Sequence, residues 1–348
     1  MSSQRINQGF VDIFNQAFNE DISRKYQKIH MDNCHHWDYN FVLWHRKFVN
    51  QFWQEIGLER TYAVLTEPND RELYSKLTKS LVSDLDDLSD MRWVEDTGKL
   101  NSFTSQDQSQ MRLEISQAMA SSTFAIDLDL EGSNNAFFRA EGRPYYNLSF
   151  SSQLEEFHDI IHGETGRGMR RVGTAGGDQC FFVHHTFVDL VFEAWLAKNP
   201  NMPLPITEEH FNATPDLQEE YDNYEELVTL WNERHYNSSD YNHVYRIIEP
   251  LPRQSILFNS IRHTEDFRRV IMFHNGEEIG RFAILTGRIE TCLSCAKREQ
   301  HTGQFLLRKL VNLHEIEWVI NRRWYRSLEA AIEAFEEIGM SAPVIVSF

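Results

Sequence analysis

Apolar residues recur three and four positions apart through most of the first two hundred residues. VDIFNQAF (11–18), FVLWHRKFVNQFWQEIGL (41–58), LYSKLTKSLVSDL (73–85), LEEFHDIIH (154–162) and TFVDLVFEAWLA (186–197) follow this spacing, which predicts helices with one face on a core. Residues 101–152 are polar and poorly periodic and read as loops. The stretch 199–216 carries four of the nine prolines and reads as a connector. Beyond Leu251 the period shortens to two. RRVIMFHNGEEIGRFAILTG (268–287) alternates apolar and polar residues around Asn275-Gly276, a strong hairpin signal. QFLLRKL, EIEWVI and PVIVSF offer further strands, and RSLEAAIEAFEEIG reads as one late helix stopped at Gly339. The pattern predicts a mainly α chain: a helical domain over 1–215, a connector over 216–250, and a smaller strand-rich domain over 251–348.

Composition narrows the function classes. The 348 residues contain 34 Lys and Arg against 52 Asp and Glu, a formal net charge of −18, which argues against nucleic acid or an anionic membrane as the main partner. No apolar run reads as long enough to span a membrane, and the first residues do not read as a signal peptide. Four cysteines (Cys34, Cys180, Cys292, Cys295) are too few and too scattered for a disulfide framework, so the expectation is a cytoplasmic protein.

The histidines change the picture most. Eight of the fifteen fall in two windows, 30–45 and 158–185. His158 and His162 stand one helical turn apart on one face, and His184-His185 opens the next helical segment. His30, His35, His36 and His45 form a second set, the last on an amphipathic helix. Two triads on four helices suggest two metal ions facing each other inside a bundle. A ligand set of neutral nitrogens without a bridging carboxylate suits copper better than a carboxylate-rich di-iron pair.

These residues also carry a resemblance. Trp44-His45-Arg46-x-Phe48 resembles the WHRxF element of the first copper site in tyrosinases, catechol oxidases and molluscan haemocyanins. Asp178-x-x-Phe181-x-x-His184-His185-x-x-x-Asp189 is similar to the DPxFxxHHxxxD element of their second copper site. The resemblance, to the type-3 binuclear copper family, covers the first 200 residues. It implies a helical bundle holding two copper ions per chain. It assigns His30, His36 and His45 to the first copper, with His35 competing with His30. It assigns His158, His162 and His185 to the second, with His184 outside the ligand set and Phe181 packed on the site.

The resemblance further implies a Cys34–His36 thioether, Glu155 and Asp159 as candidate catalytic groups, and Arg46 with Asp189 as a buried structural pair. The implied activity is a copper oxidoreductase of the tyrosinase or catechol oxidase kind. It would use O2 on a small phenolic substrate, with monooxygenase chemistry on monophenols left open and a copper-delivery protein as partner. The alternative is a haemocyanin-like O2-binding protein.

The remaining features are less specific. The loop GETGRGMRRVGTAGG (163–177) reads as a mobile border of the entrance, where Arg167, Arg170 and Arg171 would attract a carboxylated substrate. Cys292-x-x-Cys295 stands alone and reads as a turn or a redox-silent pair. The second domain is expected to cover the site, with Phe273 and Phe305 as candidate plugs.

Overall fold

In a computed structural model the described residues are 3–36, 40–83, 91–95, 100, 103–122, 124, 149–262, 268–285 and 300–347. The helical domain is assembled from α1 (Gln8–Ala17), α2 (Glu20–Asn33), α3 (Phe41–Ile56), α4 (Pro68–Ser75), α5 (Ser105–Ala120), α6 (Phe150–Thr165) and α7 (Gln179–Lys198). Polar caps set the starts: Asn19 accepts from Ile22 N–H at 3.1 Å, and Asp178 from Cys180 N–H at 2.8 Å. Gly57, at φ +67°, ends α3 in the left-handed region that glycine enters without strain.

The axis of the bundle is α7, buried from Gln179 to Leu196. By length and composition it is apolar enough to cross a membrane, contrary to the sequence reading, but 94% of its apolar window lies inside the protein. It is buried on every side because α3, α5 and α6 all pack against it. Aromatic pairs fill the space between α3 and α7, among them Phe52 stacked on Phe182 with ring centroids 3.3 Å apart.

Three expectations are corrected. Residues 105–120 form a helix, not a loop. Of its buried positions, Asp107, Gln110, Glu114, Ser116 and Gln117 are polar, so no apolar stripe advertises it. The helix expected over 73–85 stops at Ser75, and Lys79–Val82 is a strand paired with Arg92–Glu95. Residues 216–250 are not a connector. They include α8 (Tyr224–Asn232) and α9 (Ser238–Tyr245), and Leu227, Leu230, Trp231 and Val244 are buried in the first core. Even the proline-rich stretch before them contains the short helix Glu208–Ala213. Short helices with one or two apolar anchors leave too little periodicity to be read.

The second domain contains β1 (Gln254–Arg262), β2 (Arg268–His274), β3 (Glu277–Ile284), β4 (Gln300–Leu307), β5 (Glu317–Ile320), β6 (Arg323–Tyr325), α10 (Leu328–Glu337) and β7 (Pro343–Ser347). They form two antiparallel sheets, ordered β6-β5-β2-β3 and β7-β1-β4. The hairpin turns at Asn275-Gly276, both at positive φ as a primed turn requires. A separate core, from Ile256 to Met340, fills the space between the sheets and α10. Phe305 stacks on Phe282 within that core, and Phe273 packs on Trp324 at the outside, so neither plugs the metal cluster.

The domain lies against α5 and α6, in part through charged contacts. Arg281 pairs with Asp107, and Arg269 bridges Asp107 at 3.1 Å and Glu164 at 2.9 Å.

Candidate metal centre

His30 stands in the last turn of α2, His45 in the second turn of α3, and His36 between those helices. Their rings lie 5.1–5.7 Å apart, and each offers a nitrogen within 4.8 Å of the others. His30 Nδ1 donates to Val172 O at 3.0 Å and His45 Nδ1 to Phe41 O at 2.8 Å. A carbonyl only accepts, so each Nδ1 carries the proton and each Nε2 turns a lone pair inward. His35 faces away and pairs with Glu220, an acidic partner nearly two hundred residues distant.

The second cluster is tighter. His158 and His162 project from α6 and His185 from α7. His185 Nε2 lies 3.2 Å from His158 Nε2 and 3.1 Å from His162 Nε2. His162 Nδ1 donates to Met169 O at 2.7 Å, and His158 Nδ1 contacts Asp159 Oδ1 at 3.0 Å. His184 is the fourth imidazole of this group, stacked against His158 with centroids 5.4 Å apart.

Burial pushes His45, His158, His184 and His185 well below the ordinary imidazole range and His162 down to about 3, with the neighbouring imidazoles adding to the effect at most of them. Neutral rings direct lone pairs at one another, and no donor among the described residues satisfies the buried His45 Nε2. A cation between them does. Borderline-soft nitrogen sites of this kind suit copper, and the residues present fit a binuclear copper site.

Phe181 lies between the clusters, stacked on His185 at 3.9 Å and edge-on to His30 at 4.9 Å. Glu155 is buried three residues before His158. Asp159 is buried too. Burial pushes its carboxyl well up, partly offset by a hydrogen bond from Leu285 N–H and by the Arg268 guanidinium. Cys34, also buried, is two residues before His36. Cys292, Cys295 and the Arg167 side chain lie outside the described residues.

The glycine-rich loop is closely packed. A Cβ on Gly176 would lie 2.5 Å from His30 Cβ and 2.8 Å from Tyr26 O, and one on Gly168 would collide with Ser80 and Leu81. These glycines permit the loop to pack on α2 and on the Lys79–Val82 strand, and its carbonyls Val172 O and Met169 O hold one histidine from each cluster. Arg170 braces the same loop by donating to Gly163 O at 2.9 Å.

Arg46 Nε donates to Asp189 Oδ1 at 2.7 Å, and the pair is embedded in a larger network that the sequence did not reveal. Arg60 reaches Asp189, and Glu193 accepts from Arg46. Asp189, Glu193 and His235 lie close enough to hold an ion, but the two guanidiniums already provide their countercharge.

Residues 82–198 match the sequence model of the common central domain of tyrosinase. This match supports a type-3 copper family. The match includes the second histidine cluster, and the fold brings the first, at 30–45, against it. A tyrosinase from Burkholderia thailandensis is similar in fold over 97% of this chain and 94% of its own, at 12% identity and a TM-score of 0.53. A mushroom tyrosinase is similar over 90% of this chain and 80% of its own, at 13% identity and a TM-score of 0.51. A sequence comparison with curated proteins gave no match.

Proposed function

We propose that this type-3 copper protein is an oxidase of phenolic substrates, converting o-diphenols or o-aminophenols to quinones or quinone imines with O2, and hydroxylating monophenols at the ortho position. The observation that carries the reading is the pair of facing imidazole clusters with inward lone pairs. In it, His30, His36 and His45 hold one copper, and His158, His162 and His185 the other. His184 stays behind, stacked on His158 and hydrogen-bonded to its backbone. Bound there, the copper pair supplies the two-electron redox couple between substrate and O2.

Other groups of the chain prepare the reaction. Carbonyls of Phe41, Met169 and Val172 fix three ring tautomers. Phe181 supplies an aromatic wall. The Glu155 carboxylate, through a held water, takes the phenolic proton, because only a phenolate oxygen binds a metal well. Two diphenols give four electrons and four protons to one O2, leaving two quinones and two waters. A Cys34–His36 thioether would lock the His36 ring, and an intact mass equal to that of the unmodified sequence would refute it.

A haemocyanin-like O2-binding protein is the second reading. Its support is burial: all six proposed ligands are at most 3% exposed. Oxygen uptake by copper-loaded protein with catechol, tyrosine and 2-aminophenol in parallel separates the two. Sustained consumption far beyond the copper present is expected. Uptake of one O2 per copper pair, reversed under vacuum and indifferent to phenols, would overturn the oxidase reading.

A further inference from the structure

Asp159 joins the two domains at the metal cluster. Its Oδ1 lies 3.0 Å from His158 Nδ1, and its Oδ2 accepts from Leu285 N–H at 3.1 Å. His158 is on α6, whereas Leu285 directly follows β3, so the two partners come from different domains. The carboxylate is fully buried, and the second domain also brings it the buried Arg268 guanidinium. The geometry points to Asp159 as a positioning residue, through which the second domain sets the orientation of His158 at the second metal site. This inference rests on the reading that His158 is a copper ligand.

The residue type is what the arrangement requires. An aspartate side chain has acceptor lone pairs on both oxygens, so it serves His158 and Leu285 together. An asparagine has one acceptor oxygen, and its NH2 would face one of the two donors. A carboxylate on Nδ1–H fixes the ring plane, places the lone pair on Nε2 and raises its basicity toward a metal. A shift of the β3 end would release Oδ2 and loosen that orientation without any ligand being altered. In this role Asp159 acts on the ligand, and the proton of a phenolic substrate is left to Glu155.

The test uses the full-length protein loaded with copper(I), which is diamagnetic. Histidine 15N–1H NMR of the wild type is expected to show the His158 proton on Nδ1 and slow to exchange. Copper titration against a competing chelator is expected to show two tight ions in the wild type. In Asp159→Asn, one of them is expected to bind roughly 10–100-fold more weakly. Leu285→Pro removes the amide donor from the other side. Ile284 before it is already extended, as a residue preceding proline should be. It is expected to weaken the same copper.

A folded Asp159→Asn protein with both coppers at wild-type affinity would overturn the proposal. So would a wild-type His158 proton on Nε2, which decides the matter even if the variant does not fold. Two tight coppers in His158→Ala would overturn the ligand assignment beneath it. A lack of phenol turnover bears only on the proposed function, since ring proton and copper affinity are read without substrate.

Discussion

His45 and His185 stack across the centre of the bundle, with ring centroids 4.6 Å apart and planes 16° apart, although they belong to different helices and different clusters. The contact joins the two clusters. His184 instead stacks on His158, with ring centroids 5.4 Å apart. His185→Ala is therefore expected to lose one copper per chain, while His184→Ala keeps both. Elemental analysis of the two variants checks this, and the reverse result would show that the other imidazole is the ligand.

The clusters were legible because helical spacing places His158 beside His162, and because HH and WHRxF are long, specific patterns. The choice between His30 and His35 was not legible, since it depends on Glu220, which the fold brings to His35 from far along the chain. The carbonyls of Met169 and Val172 leave no side-chain signature, so the loop's glycines suggested mobility when they serve close packing. The helix Ser105–Ala120 escaped notice because Asp107 pairs with Arg281 and Gln110 bonds Glu114, which puts polar residues where an apolar stripe would be expected. Burial of a polar helix face against a second domain cannot be read from periodicity.

Arg46 and Asp189 are shut away from solvent, with side-chain exposures of 0% and 3%. Burial alone would raise the Asp189 carboxyl, but Arg46 and Arg60 hold it below its ordinary range. Asp189→Asn leaves two guanidiniums without their shared anion. The expected loss is about 3–5 kcal/mol of unfolding free energy, the usual size for breaking a buried pair from one side. Denaturant unfolding measures it, and a loss within experimental error of zero would contradict the network's structural role.

Glu114 is buried on α5, and burial pushes its carboxyl up to about 8, only partly opposed by Gln110 and Arg308. The native state therefore keeps a proton that the unfolded chain releases from about pH 4.5 upward. The group's contribution to stability falls as pH rises from there to about 8 and is level above it. Glu114→Gln removes that dependence. Thermal unfolding is expected to show the variant gaining over wild type at pH 9 and differing little at pH 5. An equal difference at both pH values would show that Glu114 does not hold its proton in the folded protein.

The account rests most heavily on two three-imidazole copper sites in one chain. Copper X-ray absorption, normalised to protein concentration after reconstitution, tests this directly. The predicted result is two coppers per chain, each in a shell of three histidine imidazoles. One copper per chain, or shells dominated by carboxylate oxygen or by sulfur, would contradict it.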